Sequence, residues 1–356
     1  MSRVVTFGEI MLRVTPPGFQ RLQQVMPGKV EVTFAGAEAS IAASISYLGG
    51  DSAFVTALPN HAVADACIAN LRSLGVDTSS IVRTSEGRLG LYYYERGINQ
   101  RASQVIYDRD GSSISVLTAE HYDWDLILNG AQWLVISGIT PAISRNAAAV
   151  TKSAMQAANA RGVKVACDMN YRSKLWQWSP PLSARELATK TMRELMPLVD
   201  MFIGGREDAA EVLGVSSTTS EPHELRRISG EVSRVYPRLK YIAMTRRVGN
   251  TANSTAFGGM LFDCQSQNAV YAPLQNDEPN MYQISDIVDR LGAGDAFTAG
   301  LLYSLTRSDA IDLQKTIDFA TAAGCLSHSI DGDYNYVSCS EVEAIVSGAQ
   351  GGRVSR

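Results

Sequence analysis

A glycine-rich turn towards the end of the chain carries the residues best suited to chemistry. It reads DRLGAGDAF at 289–297 and continues in a helical pattern, and its small residues are Gly292, Ala293 and Gly294. Small residues let backbone N–H groups approach a ligand, and the start of a helix presents unpaired N–H groups to an anion. A carboxylate beside bound phosphate is electrostatically unfavourable, so a catalytic role would explain its presence there. The role predicted for Asp295 is to remove a proton from an attacking hydroxyl. The turn therefore indicates phosphoryl transfer, with the donor phosphates above it.

The same turn has a purely structural alternative. Glycines make tight turns in many proteins, and an acidic residue in the first turn of a helix stabilises the helix dipole. Asp295 could serve in that way without touching a substrate. The residue pattern of the turn leaves both interpretations open.

A second group of polar residues follows a predicted buried strand. The run VKVACD at 163–168 reads as a strand, and Asn170 and Arg172 come directly after it. Residues at the carboxyl end of a strand in a doubly wound sheet line the ligand crevice. Arg172 could clamp a carboxylate with two parallel hydrogen bonds, the alternative being a surface arginine paired with Asp168.

Three further polar residues lie on strand-forming segments. They are Tyr92, Tyr107 and Arg109. Arg109 could reach the same anion as Arg172, the alternative again being a surface arginine that pairs locally, and Tyr92 could add a hydroxyl. The alternative is that the tyrosines pack within a sheet, since aromatic residues are enriched in strands.

Several familiar motifs are missing from the sequence. There is no GxxxxGK[ST], no GxGxxG after the first strand, no HExxH and no GxSxG. The four histidines are dispersed and the five cysteines include no CxxC pair. These absences argue against a P-loop enzyme, a dinucleotide site, a zinc site, an α/β-hydrolase and a disulfide framework.

Short apolar runs alternate with helical stretches along most of the chain. Strands are predicted at 4–7, 53–57, 133–137, 163–168, 201–203 and 241–245. Helices are predicted at 37–48, 62–74, 144–160 and 206–213. The alternation indicates βαβ units and an α/β fold, with a doubly wound, mostly parallel sheet flanked by helices.

Two segments interrupt this alternation. Residues 10–35 and 85–116 hold few helical signals and many strand formers, so we predict a small β-sheet lid outside the main sheet. The alternative is an edge hairpin with no role. Residues 216–222 and 274–283 read as polar loops.

Composition limits the partners that the chain can have. Of its 356 residues 45% are hydrophobic and 19% are charged, and the formal net charge is −4. This balance argues against nucleic acid as a partner, which would call for a basic face. No apolar run approaches a membrane span and the N-terminus lacks a signal-peptide pattern, so we expect no membrane partner and a cytoplasmic location.

The motif D-x-x-G-A-G-D-A-F resembles the C-terminal signature of the ribokinase-like (PfkB) sugar kinases. The resemblance runs along the whole chain and predicts one kinase domain over 1–356, with the lid formed by 10–35 and 85–116. Within the family, the sequence looks most like the 2-keto-3-deoxygluconate kinases. The similar stretches are GAEAS at 36–40, RLGLYYYE at 88–95, RASQVIYDR at 101–109, DMNYRSKLW at 168–176 and HSIDGDYN at 328–335.

The resemblance implies a reaction and the residues that carry it. It implies transfer of the γ-phosphoryl group of ATP, with Mg²⁺, to the 6-hydroxyl of a 2-keto-3-deoxy sugar acid. Asp295 is the implied base, and the implied anion hole is the backbone of Gly292, Ala293 and Gly294. The implied sugar-binding residues are Gly36, Tyr92, Tyr107, Arg109 and Arg172. The implied nucleotide side comprises Thr245, Arg247, Gly292 and Gly294, and Asp208 is the implied metal residue.

Family lids pair between subunits, so the resemblance also implies a homodimer or a higher homo-oligomer. Three departures from the family pattern bear on these expectations. The N-x-x-E motif falls at 205–208, where Gly205 replaces the asparagine and Asp208 the glutamate. Ser40 and Ala35 stand where the subgroup usually has asparagine and glycine.

These departures keep two rival functions open. One is a kinase of the same family for another sugar, such as fructose or a related sugar acid. The other is a catalytically weak, ligand-sensing homologue, which the change at Gly205 could favour. Two arginines near the sugar argue for an acidic substrate, and the intact Asp295 argues for catalysis.

Overall fold

The computed structural model describes residues 2–215, 219, 221–307 and 310–348. Its strands are β1 (Arg3–Phe7), β2 (Met11–Thr15), β3 (Glu31–Ala35), β4 (Ser52–Val55), β5 (Ala57–Pro59), β6 (Val82–Thr84), β7 (Gly90–Glu95), β8 (Gln104–Asp108), β9 (Ala131–Ser137), β10 (Lys164–Asp168), β11 (Met201–Gly204), β12 (Tyr241–Thr251), β13 (Ser254–Asp263), β14 (Asn268–Ala272), β15 (Leu274–Gln275), β16 (Glu278–Pro279) and β17 (Tyr282–Ile284). Its α-helices are α1 (Leu22–Val25), α2 (Ala37–Tyr47), α3 (Ala62–Ser73), α4 (Ser113–Val116), α5 (Trp124–Ile127), α6 (Thr140–Ile143), α7 (Arg145–Ala160), α8 (Ala184–Leu195), α9 (Arg206–Asp208), α10 (Pro222–Val235), α11 (Ala293–Arg307), α12 (Leu313–Leu326) and α13 (Cys339–Val346).

A nine-stranded sheet forms the centre of the molecule, in the order β14-β13-β12-β11-β10-β9-β1-β4, with β17 added to β13. The pairings from β4 through β12 are parallel. The pairings of β13 with β12, β14 and β17 are antiparallel. Parallel strands need a crossover between them, and helices supply it on both faces. The predicted α/β fold with a mostly parallel central sheet is confirmed.

Alternation along the strands divides the core between the two faces of this sheet. On strand β1, Val5 and Phe7 pack with residues of α7, α8 and α10. Val4 points the other way and packs with Ile41 and Ile45 of α2 and with residues of α11 and α12. Successive side chains of a strand point to opposite faces, so an uninterrupted apolar run such as Val4-Val5 is what a strand buried on both faces requires.

A separate four-stranded sheet has the order β3-β2-β7-β8, and we call it the lid sheet. Strands β2 and β3 fall within residues 10–35, and strands β7 and β8 fall within 85–116. The lid sheet is mixed, because β2 pairs with β7 in parallel while the other two pairings are antiparallel. The predicted segments also contain short helices, α1 and α4.

The structure differs from the predicted elements in two places. Residues 274–283 were expected as a polar loop, but β15 and β16 form a small hairpin there and β17 joins the main sheet. These strands have two or three residues each, too few to give a readable alternation. The helix predicted at 206–213 widens into a π-helical turn over Ala209–Leu213. Most of the polar loop predicted at 216–222 lies outside the described residues.

Among the described residues, none of the helices combines the length and the apolar character needed to cross a bilayer.

Candidate active site

A cavity of about 530 Å³ lies between the carboxyl ends of the parallel strands, the lid sheet and the start of helix α11. It is the place where a doubly wound sheet is expected to bind its ligands. The predicted site residues that line it are Gly36, Tyr92, Tyr107, Arg109, Arg172, Asp208, Thr245, Arg247, Gly292, Gly294 and Asp295. Ala293 is buried beneath the cavity wall. The predicted residues Gly36 and Asp295, which are 259 positions apart in the sequence, thus share one cavity.

The turn at 292–294, which we call the anion-binding turn, opens helix α11. Gly292 has a φ of +85°, and a Cβ atom there would lie 2.5 Å from the carbonyl oxygen of Asp333, so only glycine suits this position. The first α-helical hydrogen bond runs from the Ala296 N–H to the Gly292 oxygen, at 2.8 Å. The preceding N–H groups have no partner within the helix and are available to an anion.

Asp295 lies half-buried in the first turn of α11, beside this anion-binding turn. Burial raises the pKa of its carboxyl well above the ordinary value, and the negative charges of Asp168, Asp333 and Glu38 raise it further. The positive charge of Arg172 opposes that rise in pKa. A carboxyl of this kind accepts a proton more readily than an exposed aspartate does, which suits a general base.

The lid side of the cavity presents residues that are already hydrogen-bonded to one another. Arg109 is buried and donates from Nε to Glu9 Oε2 at 2.8 Å, and its Nη2 donates to the same oxygen. The Arg109 guanidinium also lies 5.4 Å from the ring of Tyr107. The Tyr92 hydroxyl donates to Asp333 at 2.9 Å. Arg109 keeps a free donor and Tyr92 a free acceptor for a ligand, but these hydrogen bonds fix the orientation of both side chains before a ligand binds.

Gly36 joins the lid sheet to helix α2. A Cβ atom at this position would collide with the carbonyl oxygen of Glu9, so the close approach of two backbone segments requires glycine. Glu38, two residues later, is buried and lines the cavity. Its Oε1 accepts hydrogen bonds from the Ser137 N–H and hydroxyl and from the Thr140 hydroxyl, at 2.6 to 3.0 Å. Burial raises the pKa of Glu38 despite these donors.

Arg172 and Asp168 stand on the opposite side of the cavity from the lid. Asp168 ends strand β10, and Arg172 is exposed in the loop that follows. Burial raises the pKa of Asp168 to about 7, and the nearby Asp208 contributes to the rise while Arg172 opposes it. Arg172 lines the cavity, so its exposed guanidinium can bind an anion there.

The wall predicted to bind the nucleotide and the metal includes residues of β12 and of α9. Arg247 is exposed, its guanidinium lies 5.4 Å from the ring of Phe257, and a Cβ on Gly294 would be 3.6 Å from its Nη2. Asp208 accepts hydrogen bonds from the N–H groups of Gly205 at 2.7 Å and Tyr171 at 2.9 Å. Within the part of the chain that the structure describes, no three His, Cys, Asp or Glu side chains are grouped to hold a metal ion.

Asp208 is nevertheless suited to share a Mg²⁺ ion with a ligand. Its carboxylate lines the cavity, and a carboxylate oxygen can accept a hydrogen bond and still coordinate a cation. Mg²⁺ keeps several waters and is usually held by one or two carboxylates together with substrate phosphates. A preformed cage of protein ligands is therefore not required.

Several residues near the site were not singled out as site residues from the sequence. Glu9 and Glu38 are buried acids in the cavity wall, and Arg13 is a buried arginine that forms ion pairs with Asp289 and Asp333. Asp289 begins the DRLGAGD motif, so its position could have flagged it. The partners of Arg13 are 276 and 320 positions away, and no local pattern reports such a pairing.

Comparison with known proteins places these features in a family. The model of the family described as pfkB family carbohydrate kinase matches residues 1–233 and 267–336. The 2-dehydro-3-deoxygalactonokinase of Haloferax volcanii is 29% identical over 352 residues, which cover 99% of this chain and 98% of that protein. The 2-dehydro-3-deoxygluconokinase of Bacillus subtilis is 24% identical over 330 residues, covering 92% and 90%.

Solved structures give the same picture. The crystal structure of the 2-dehydro-3-deoxygluconokinase of Thermotoga maritima superposes with a TM-score of 0.89 at 39% identity, covering 98% of this chain and all of that one. That of a putative 2-keto-3-deoxygluconate kinase from Enterococcus faecalis gives a TM-score of 0.86 at 25% identity, covering 100% and 99%.

Proposed function

Since the chain belongs to the pfkB family of carbohydrate kinases, we propose that it transfers the γ-phosphoryl group of ATP to the 6-hydroxyl of 2-keto-3-deoxygluconate. The observation that carries the proposal is the sharing of one cavity by Asp295, the anion-binding turn and the two arginines Arg109 and Arg172. A base and an anion site indicate phosphoryl transfer, and the arginines indicate that the acceptor is an acid. The similarity to 2-dehydro-3-deoxygluconokinases points to the same substrate class.

In this proposal the donor phosphates lie over the anion-binding turn. The free N–H groups of residues 293 and 294 and the positive end of the α11 dipole hold the γ-phosphoryl oxygens. Arg247 adds a charged donor beside Gly294, and Thr245 adds a hydroxyl to the same wall. Asp208 would hold a Mg²⁺ ion together with the phosphates, and the ion would neutralise the charge that develops on them.

Asp295 removes the proton from the sugar hydroxyl as the hydroxyl attacks the phosphorus. The positive charge of Arg172 favours the ionised form of Asp295, whereas the neighbouring carboxyls favour the protonated form. The anion-binding turn keeps the attacking oxygen and the phosphorus in line. After transfer the proton remains on the Asp295 carboxyl and is released with the products.

The carboxylate of the sugar acid lies between Arg109 and Arg172. The two arginines differ in what they offer, because Arg109 is already paired with Glu9 and contributes oriented hydrogen-bond donors with little net charge. Arg172 is exposed to the cavity and contributes the larger share of the electrostatic attraction. Gly36, Tyr92 and Tyr107 complete the wall around the sugar.

The proposal is tested by assaying ADP formation with a panel of acceptors. The panel contains 2-keto-3-deoxygluconate, its C4 epimer 2-keto-3-deoxygalactonate, gluconate and fructose, with Asp295→Asn as the inactive control. We expect turnover of a 2-keto-3-deoxy acid, with NMR placing the phosphate on C6. Preference for fructose would make the chain a kinase for another sugar, and failure to turn over any acceptor would favour the ligand-sensing alternative. The C4 epimer is included because the Haloferax volcanii relative is named for it.

We further propose that the protein acts in the cytoplasm. We also propose that two subunits pair through the outer face of the lid sheet. Cross-strand partners place Val32, Val14, Tyr93 and Ile106 in one row on that face. Side chains alternate between faces, so this row points away from Tyr92 and Tyr107 and from the cavity. Val32 and Ile106 are 52% and 53% exposed, which makes the outer face unusually apolar for a surface sheet.

A further inference from the structure

The segment at 331–333 packs directly on the anion-binding turn. The carbonyl oxygen of Asp333 occupies the space where a side chain of Gly292 would be, and the Gly332 N–H lies 3.4 Å from the carboxylate of Asp289. Asp289 also accepts the N–H of Leu291 at 3.1 Å, just before the turn. The position of the turn is therefore set by two acidic residues, one on each side of it.

One side chain of the lid sheet holds both of these acids. Arg13, on strand β2, donates from Nη1 to Asp333 and from Nη2 to Asp289, and its Nε donates to Thr15 at 3.0 Å. The Arg13 guanidinium also lies 4.6 Å from the centre of the Tyr94 ring. Arg13 is 1% exposed and is not among the described residues that line the cavity.

A second contact reinforces the first. The hydroxyl of Tyr92, on strand β7, donates to the remaining oxygen of Asp333 at 2.9 Å. The Asp333 carboxylate thus bridges two adjacent strands of the lid sheet, β2 and β7. The backbone carbonyl of Asp333 packs against Gly292. Buried ion pairs of this kind fix geometry, because a displaced partner leaves an uncompensated charge in a medium of low dielectric constant.

We propose that Arg13 and Asp333 are positioning residues, which lock the anion-binding turn to the lid sheet so that the sites for phosphate and sugar are held in one fixed relation. This inference rests on the proposed kinase function. It goes beyond that function because it assigns a role in phosphate binding to an arginine outside the cavity. Neither residue needs to touch a substrate for the lock to act.

The same lock bears on the charge around the base. The groups that face Asp295 are Glu38 from α2, Asp168 and Arg172 from the end of β10, Arg247 from β12, and Asp333. Asp333 raises the pKa of Asp295, and Arg13 is the cation nearest to the Asp333 carboxylate. Loss of Arg13 therefore exposes Asp295 to an uncompensated negative charge, whereas loss of the Asp333 charge relieves it.

The test uses the full chain and four variants. Arg13→Met removes the charge at similar length, Arg13→Lys keeps the charge but cannot reach both acids, and Asp333→Asn keeps the shape and can still accept from Arg13. The control is Arg3→Met, which breaks the Arg3–Asp77 ion pair at the opposite end of strand β1 from Glu9. Circular dichroism and urea unfolding show which variants fold.

Binding of ATP and of adenosine is measured by calorimetry. Arg13→Met should weaken ATP binding by about tenfold to a hundredfold, the cost of a displaced binding group, and leave adenosine binding unchanged. Arg13→Lys should recover part of the loss, and Arg3→Met should bind ATP as the wild type does. The pH profile of kcat/KM should have its acidic limb moved to higher pH in Arg13→Met and to lower pH in Asp333→Asn.

Wild-type ATP affinity and an unmoved acidic limb in folded Arg13→Met would overturn the inference. The ion pairs of Arg13 with Asp289 and Asp333 would then serve only to stabilise the fold. If Arg13→Met does not fold, Arg13→Lys and Asp333→Asn decide by the same readouts. If the wild type phosphorylates no acceptor, the proposed function fails, yet the comparison of ATP with adenosine still tests the lock.

Discussion

At the scale of single residues, the proposed base is surrounded by groups whose charges shift its pKa. Asp295 sits among Asp168, Asp333 and Glu38, and Arg172 opposes their effect. Because the base must be ionised to accept a proton, turnover of the wild type should fall as pH is lowered through the raised pKa of Asp295. The position of that acidic limb reports on the charges around the base.

The first prediction concerns Asp295 itself. Asp295→Asn should lower kcat by about 10²–10⁴-fold, the usual cost of losing a general base, with the acidic limb of the pH profile abolished. ATP affinity, measured by calorimetry, should stay within the wild-type range because the backbone of the anion-binding turn is unchanged. Near-normal turnover in this variant would show that Asp295 is not the base and only stabilises the start of helix α11.

The second prediction concerns Arg172. A charged hydrogen bond contributes about 1.5–3 kcal/mol, so Arg172→Ala should lower kcat/KM for the sugar acid by about 10–150-fold. Turnover of a neutral hexose, where detectable, should hardly change, because it has no carboxylate to lose. Arg172→Lys should recover only part of the activity, since it keeps the charge and loses the planar fork. Equal losses on acid and neutral sugars would show that Arg172 does not bind the carboxylate.

The third prediction follows from the raised pKa of Asp168, about 7 against an ordinary 3.8. The folded protein keeps this proton up to near neutral pH, while the unfolded chain releases it near pH 4. The folded state thus binds more protons in that window, so stability falls as pH rises through it. Asp168→Asn cannot ionise, and its free energy of unfolding should fall less than that of the wild type between about pH 5 and pH 8.

Urea unfolding at the two pH values measures this difference. The control is Asp108→Asn, because the exposed carboxyl of Asp108 has a pKa lowered by Arg88 and is ionised throughout the window. It should leave the pH dependence as in the wild type. A parallel loss of stability in Asp168→Asn and the wild type would place the pKa of Asp168 near its ordinary value.

The sequence identified site residues that lie in local motifs, but it did not identify the ion pairs between residues far apart in the chain. Asp295 and Gly292 lie in one short run, and Arg172 follows a readable strand, so their residue types pointed to the cavity. Arg109 was proposed to bind the carboxylate, with a local ion pair as the alternative, and the structure pairs it with the distant Glu9. That pairing joins residues 100 positions apart, and nothing near either residue in the sequence announces it.

At the scale of elements, the anion-binding turn depends on glycine for two separate reasons. Gly292 has a left-handed φ of +85°, and a Cβ there would press on the Asp333 carbonyl. The conformation alone costs about 1–2 kcal/mol for a residue with a side chain. The collision adds the cost of overpacking, about 1–3 kcal/mol.

The fourth prediction uses this difference. Gly292→Ala should destabilise the protein by more than Gly162→Ala and should also abolish measurable ATP binding. Gly162 is the matched control because its φ is +73° and no atom lies within 4 Å of the added Cβ. Urea unfolding and calorimetry measure the two effects. Equal destabilisation of the two variants, with ATP binding retained, would contradict this prediction. It would mean that segment 331–333 moves aside at little energetic cost to accommodate the added Cβ.

The elements themselves were predictable where apolar residues form an uninterrupted run. The parallel strands β1, β9, β10 and β11 are such runs, and the sequence predicted each of them. Strand β13 was not predicted, although it pairs with three other strands. It contains Gly258 and Gly259, and a Cβ on Gly259 would meet the Thr321 side chain of α12. Close helix–sheet packing selected residues that weaken the strand pattern.

At the scale of the whole molecule, the lid sheet has one face that borders the cavity and an apolar outer face, through which we propose that subunits pair. Arg13, Tyr92 and Tyr107 are cross-strand neighbours, and Tyr92 and Tyr107 line the cavity. The next row, with Val14 and Tyr93, belongs to the apolar outer face. A one-residue shift of register would exchange the two faces, so the proposed lock between Arg13 and Asp333 would also fix which side chains lie on the face through which we propose that subunits pair.

The last prediction tests that outer face. In a twofold dimer each residue near the axis approaches its own copy, so Ile106→Glu would bring like charges together on a surface that association must dehydrate. We expect the wild type to sediment as a dimer or a larger oligomer and Ile106→Glu to sediment as a monomer. Leu126→Glu is the control, because Leu126 is 71% exposed on α5, outside the lid sheet, and should leave the assembly intact. A monomeric wild type, or an Ile106→Glu variant that still associates, would show that subunits do not pair through this face.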